Sequence, residues 1–273
     1  MIYKYNTISI LGCGWLGLPL AENLVLKGLS IKGSTTSVNK LEVLEKLKIQ
    51  PYLIQLFENR VTENISEFLK ESDLLIIMIP PKLRKNNDEN FIAKIQKIIP
   101  YIETSNISKV LFITSISVYG DTFKKVTITE KDIVIPSTEA GRQLLKVEQL
   151  LQKNQKFKTT ILRLGGLIGE DRHPVIYLAG KENLENPEAA VNLISQTDCI
   201  QIIEKMIYSN TVWGNVFNAV APFHPTRKEY YTDKAVQNNL KIPKFVNSDT
   251  QGKIIDSTLL IEKLPYEFNL DLY

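Results

Sequence analysis

Residues 7–17, TISILGCGWLG, constrain this chain more than any other stretch. An apolar run rich in β-branched residues leads into a tight glycine turn, and an amphipathic helix over residues 16–27 follows it. A nucleotide-binding β-α-β unit requires a strand, a turn and a helix in that order. Gly12 permits the sharp exit from the strand, Gly14 removes a side chain where backbone approaches a pyrophosphate, and Gly17 lets the helix lie close on the sheet. Along Gly12, Cys13, Gly14, Trp15, Leu16 and Gly17, unpaired N–H groups and the helix dipole then favour the negative charge of a dinucleotide.

The next strand, residues 29–33, ends at the position that selects the coenzyme. A site preferring NAD usually places Asp or Glu about 20 residues beyond the glycines, against the adenosine ribose. Here stand Ser34, Thr35, Thr36 and Ser37, with Lys40 beyond them. Hydroxyls and an ammonium suit a 2′-phosphate that a carboxylate would repel, so the sequence predicts NADP in preference to NAD. The same residues also read as an N-cap for a helix over residues 39–47.

Residues 51–56 form a third strand and residues 64–70 a short helix. The run 73–79, DLLIIMI, has the unbroken apolar character of a strand buried on both faces of a parallel sheet. Pro80 and Pro81 stop it where ligand loops emerge. Lys82, Arg84 and Lys85 follow, either as a solvated surface or as phosphate contacts, before a helix over residues 90–99. Residues 109–115, KVLFITS, repeat the buried pattern. Strands alternating with helices give an α/β, Rossmann-type doubly wound parallel sheet with ligands at the C-terminal strand ends, where Pro80 and Thr114 join the cofactor set.

With 273 residues, 44% of them hydrophobic and 23% charged, the composition is that of an ordinary globular protein with a sizeable core. A net charge of +3 without a basic, aromatic-interleaved stripe argues against a nucleic-acid surface. Cys13 and Cys199 give neither a disulfide framework nor metal-ligand spacing, and His173 and His224 are too few for a histidine-rich zinc site. No apolar run reaches about 18 residues and no leader pattern opens the chain. The expectation is a cytoplasmic protein with a small-molecule substrate, no membrane segment and no metal.

Residues 114–120, TSISVYG, resemble the SSxxVYG segment of the extended short-chain dehydrogenases/reductases, the NAD-dependent epimerase/dehydratase family. Residues 161–169, ILRLGGLIG, are similar to the strand and glycine loop that open that family's substrate side. Residues 191–198 resemble its "VhvdDva" return segment, and residues 214–219 its "G.vyNv" strand. The glycine motif departs from the usual GxxGxxG, since residue 11 is leucine. That detail and GWLG are similar to an atypical bacterial subgroup of nucleoside-diphosphate-sugar epimerases. The resemblance implies a dinucleotide-binding domain over 1–164 and a smaller, interleaved substrate lobe over 165–273, with 191–219 returning to the sheet. It also implies a sugar nucleotide as substrate and a homodimer formed through helices 90–99 and 138–154.

In the family, a Tyr and a Lys four residues apart on one helix face perform the acid/base work. Aligning Gly141 and Glu148 to the family's glycine and glutamate places Ala140 and Leu144 in those two positions, where neither can transfer a proton. Lys146 lies about 200° around the helix from the lysine position and cannot substitute for it. Ser115 matches the family's catalytic serine or threonine and reads equally as a strand-end hydroxyl bonded to backbone. Tyr119 is the nearest phenol. His173 sits on the substrate-facing loop and titrates near neutrality, with Arg172 beside it for an anionic group. Cys13, at a helix start, is either a reactive thiol or a small residue packed in the turn. Asp198 reads as the N-cap of a helix over 200–208, His224 as a loop residue, and Thr226 as the cap of a helix over 227–239. Two functions follow: an NADP-dependent oxidoreductase or epimerase using Ser115, Tyr119 and His173, or a non-catalytic NADP sensor.

Overall fold

The computed structural model describes residues 5–81, 83, 89–120, 126–248 and 252–273. The glycine turn joins β1 (Thr7–Leu11) to α1 (Gly17–Leu26), and the chain continues through β2 (Ser30–Thr35), α2 (Leu41–Lys46), β3 (Gln50–Leu53), α3 (Ile65–Leu69) and β4 (Leu74–Ile77). Next come α4 (Phe91–Thr104), β5 (Lys109–Ser115), β6 (Val126–Ile128), α5 (Glu139–Gln152) and β7 (Lys158–Leu164). Seven strands form one sheet in the order β3-β2-β1-β4-β5-β7-β10, every neighbouring pair parallel, where β10 is Val216–Ala219 of the C-terminal third. This is the Rossmann-type arrangement expected of alternating strands and helices. Its strand order reverses between β1 and β4, which opens a crevice at their C-terminal ends.

Period-two alternation feeds two cores. Leu74 and Ile76 of β4 and Leu111 and Ile113 of β5 face α1, whereas Leu75, Ile77, Val110 and Phe112 face α3, α4 and α5. All four residues of β4 are fully buried. At about 1.5–3 kcal/mol per aliphatic side chain, their burial outweighs a backbone ordering cost of about 1–2 kcal/mol per residue.

Before β10 the chain adds β8 (Gly166–Ile168), α6 (Pro174–Leu178), β9 (Leu193–Ser195) and α7 (Gln196–Tyr208); after it come α8 (Arg227–Gln237), β11 (Lys253–Ile255) and α9 (Thr258–Lys263). β8 pairs with β9 and β6 with β11 in separate two-stranded sheets. α7 packs beside α1 on the first core.

Several boundaries differ from the sequence reading, two of them for a visible reason. α4 runs through Pro100 to Thr104, because Ile98 and Ile102 on either side of the proline both bury into the second core. The helix expected over 39–47 splits into a 3₁₀ turn, Val38–Lys40, and α2. Among the described residues no helix is long and apolar enough to cross a membrane.

Candidate functional site

The glycine turn is fixed from below by β2. Gly12 N–H donates to Ser34 Oγ at 2.9 Å and Cys13 N–H to the Ser34 carbonyl at 2.8 Å. Gly12 has φ +111°, and an added Cβ would lie 2.9 Å from Ile79 Cγ2, so both conformation and space require glycine. At Gly17 a Cβ would fall 2.2 Å from the Gly12 carbonyl oxygen. Gly14, by contrast, faces open space. The N–H groups of Gly14 and Leu18 bond to Gly12 and Gly14 carbonyls, while those of Trp15, Leu16 and Gly17 have no acceptor among the described residues. Three consecutive free donors at the start of a ten-residue helix, beneath an unfilled space, fit a diphosphate. Cys13 is buried, its thiol pushed up to about 12 by desolvation, so it packs rather than reacts.

The adenosine end departs from the sequence reading. Ser34 is buried and its hydroxyl holds the turn, and Thr35 Oγ1 accepts the Ser37 N–H at 3.1 Å. Neither faces outward toward a 2′-phosphate; Thr36 and Lys40 are exposed. Pro80 lies exposed just beyond β4. Lys82, Arg84 and Lys85 fall outside the described residues.

At the end of β5, Ser115 is half-buried and its Oγ accepts the Ser117 N–H at 3.1 Å, capping a 3₁₀ turn. Thr114 is buried. α5 presses on that turn at Gly141, where a Cβ would lie 2.4 Å from the Ser117 carbonyl oxygen. The same helix carries Leu144, buried, and Ala140, partly exposed.

Tyr119 does not point a free phenol into this space. It is 2% exposed; its hydroxyl accepts from Arg163 Nη1 at 2.7 Å and donates to Asn218 Oδ1 at 3.0 Å. Burial raises its pKa above the ordinary phenol value, against the lowering effect of Arg163. Arg163 also forks onto the buried Glu148 carboxylate, with Nη2–Oε2 at 2.6 Å. The phenol is therefore a strut between β5, β7 and β10 and not a proton donor to a ligand. Glu130, which the sequence reading passed over, accepts the Asn218 N–H at 2.6 Å, and burial pushes its carboxyl upward. No motif in the sequence marked it.

His173 is likewise engaged. Val175 N–H donates to Nδ1 at 3.1 Å, which makes the residue the cap of α6 and leaves the proton on Nε2, 2.9 Å from the Tyr230 hydroxyl. Burial, then the charge of Lys234, pushes its pKa down to about 4, so the ring is neutral at pH 7 and has no free nitrogen. The structure does not bring it together with Ser115 by any contact among the described residues. His224 packs its Nδ1 3.1 Å from the Val191 carbonyl.

What the loop of residues 169–173 does touch is the glycine turn. Trp15 Nε1 donates to Asp171 Oδ1 at 2.7 Å, the Arg172 guanidinium lies 4.9 Å from the indole, and Gln196 Nε2 donates to the Trp15 carbonyl at 2.7 Å. The cap of α7 is Ser195, not Asp198. Asp198 is fully buried and accepts from Ser195 Oγ, Tyr266 Oη and Tyr273 Oη. The spacing Ser195-Gln196-Thr197-Asp198 is the capping signature that would have revealed this.

Protein YeeZ of Escherichia coli (strain K12) is 32% identical over 264 residues, 96% of this chain and 95% of the relative. The chain belongs to the NAD-dependent epimerase/dehydratase family. Solved structures share its fold. A UDP-glucuronic acid 4-epimerase from Bacillus cereus, in complex with UDP-glucuronic acid and NAD, superposes with a TM-score of 0.80 at 17% identity, covering 97% of this chain and 95% of that one. A UDP-glucose 4-epimerase from Thermotoga maritima, with UDP-glucose, gives 0.78 at 17% identity over 96% and 94%. No family model matches the chain. Within the family's fold, the glycine turn, Ser115 and the start of α5 lie around the C-terminal ends of β1, β4 and β5.

Proposed function

We propose that this protein binds a nicotinamide dinucleotide at the glycine turn and acts as an oxidoreductase or epimerase on a sugar nucleotide. The observation that carries the reading is the row of free N–H groups at Trp15, Leu16 and Gly17 under the open face of Gly14. Membership of the family and the UDP-sugar substrates of the similar epimerases support the substrate class. When bound, the nicotinamide would supply hydride exchange; the chain supplies orientation and proton management. Ser115, half-buried at the end of β5, keeps a hydroxyl proton to offer a substrate oxygen while accepting from Ser117. Between residues 34 and 40 no carboxylate repels a 2′-phosphate, and Thr36 and Lys40 are free to meet it, so both NAD and NADP are accepted, with NADP favoured by Lys40.

Calorimetric titration with each dinucleotide tests the first half. Binding of neither by folded protein would overturn it. Absorbance at the reduced-nicotinamide band during incubation with a panel of UDP-sugars tests the second.

A second reading, a dinucleotide sensor without catalysis, is favoured by the engagement of Tyr119 and His173 and by the apolar Ala140 and Leu144 on α5. Dinucleotide binding without turnover of any sugar nucleotide, and with a change in association state, supports that reading over the first.

A further inference from the structure

We propose that Arg172 is the second-lobe ligand of the dinucleotide diphosphate, closing the anion site whose other side is the start of α1. This rests on the dinucleotide reading above and names a residue that reading does not use.

Trp15 connects the two halves of the argument. Its backbone N–H is one of the three free donors, and its indole is the platform for Arg172. The indole is clamped on several sides. Asp171 accepts its Nε1–H, Gln196 holds its carbonyl, and Gly169 leaves the space it fills, since a Cβ there would lie 2.7 Å from Trp15 Cζ2. Gly169 and Arg172 exchange backbone hydrogen bonds at 2.8 and 3.1 Å, which fixes the loop that delivers the guanidinium.

Arg172 has no ion pair and no side-chain hydrogen bond among the described residues. The neighbouring carboxylate, Asp171, accepts from the indole instead. A guanidinium stacked on an aromatic face keeps its in-plane donors available, and that planar fork matches phosphate oxygens. A diphosphate on the N–H groups of Trp15, Leu16 and Gly17 would thus meet a positive charge from the opposite lobe. Binding would join β1–α1 to the β8–α6 loop.

The test compares wild type with Arg172→Gln and Arg172→Lys by calorimetry, using NAD, NADP, ADP-ribose and adenosine at several salt concentrations, after thermal melts establish folding. The proposal expects Arg172→Gln to weaken NAD, NADP and ADP-ribose by about tenfold or more, to leave adenosine unchanged, and to flatten the dependence of affinity on salt. Arg172→Lys, retaining charge without the fork, falls between. Trp15→Phe keeps the backbone donor and loses less than Arg172→Gln. Unchanged dinucleotide affinity in Arg172→Gln overturns the proposal. So does an equal loss for adenosine with an unaltered salt slope, which marks a packing role. A loss confined to UDP-glucose added to dinucleotide-saturated protein overturns it as well, by assigning Arg172 to the other diphosphate. If wild type binds no dinucleotide, the underlying reading fails, and this inference falls with it.

Discussion

Arg163 on β7 and Glu148 on α5 form a buried, forked ion pair, and the remaining guanidinium nitrogen reaches across to Tyr119. Arg163 is 4% exposed and Glu148 1%, so each charge depends on the other for solvation. Removing one partner strands the other. Arg163→Met should therefore cost about 3–5 kcal/mol of unfolding free energy, and the double variant Glu148→Leu/Arg163→Met should recover most of that. Urea denaturation of the three proteins measures it; a double variant no better than the single would show that the pair is not the cause.

Tyr119→Phe keeps the ring and deletes the hydroxyl that links Arg163 to Asn218. The expected loss is about 1–2 kcal/mol of stability, from two buried groups each missing a partner. Dinucleotide affinity should stay within about twofold. A tenfold or greater change in affinity at unchanged stability would instead put the phenol in contact with ligand.

Two glycines of the turn, Gly17 and Gly14, should separate cleanly. Gly17→Ala drives a Cβ against backbone at 2.2 Å and should destabilise the fold by about 2–3 kcal/mol. Gly14→Val meets no protein atom near its Cβ, so its melting temperature should match wild type, whereas dinucleotide binding is lost because the side chain occupies the ligand's space. Normal binding by a stable Gly14→Val protein would refute the siting of the diphosphate.

For His173 the sign follows from a folded-state pKa of about 4 against an ordinary value of 6.5. The unfolded chain takes up the proton more readily, so the contribution to stability is complete above pH 6.5 and disappears as pH falls toward 4. For a half-buried ring this amounts to about 1–2 kcal/mol after allowance for solvent screening. His173→Asn retains a capping oxygen and has no titrating ring; its stability, measured by denaturation from pH 7 to pH 4, should lose that part of the acid dependence.

The sheet was legible because its signals are local: the run at β4 and the one at β5 are apolar at every position that matters, and the glycine turn has its strand before it and helix after it. Ser34 is ambiguous in sequence for a different reason. A hydroxyl at the end of β2 offers itself equally to a phosphate and to a backbone N–H, and only the approach of Gly12, 22 positions earlier, decides between them. The surroundings of His173 and Tyr119 are hidden similarly, since their partners Tyr230 and Asn218 lie 57 and 99 positions away. Asp198 was a local error, because the capping pattern beginning at Ser195 was in plain view. The contact between Trp15 and Asp171 spans 156 positions and carries no sequence mark at all.

Cys13, in the glycine turn against Gly33 of β2, and Cys199, on α7, are both buried in the first core. Neither thiol can be alkylated while that core stays closed, so the rate at which an added reagent labels them is a clock for its opening. Mass spectrometry of native protein held in iodoacetamide would then follow the opening of the face that supports the glycine turn, without any engineered probe.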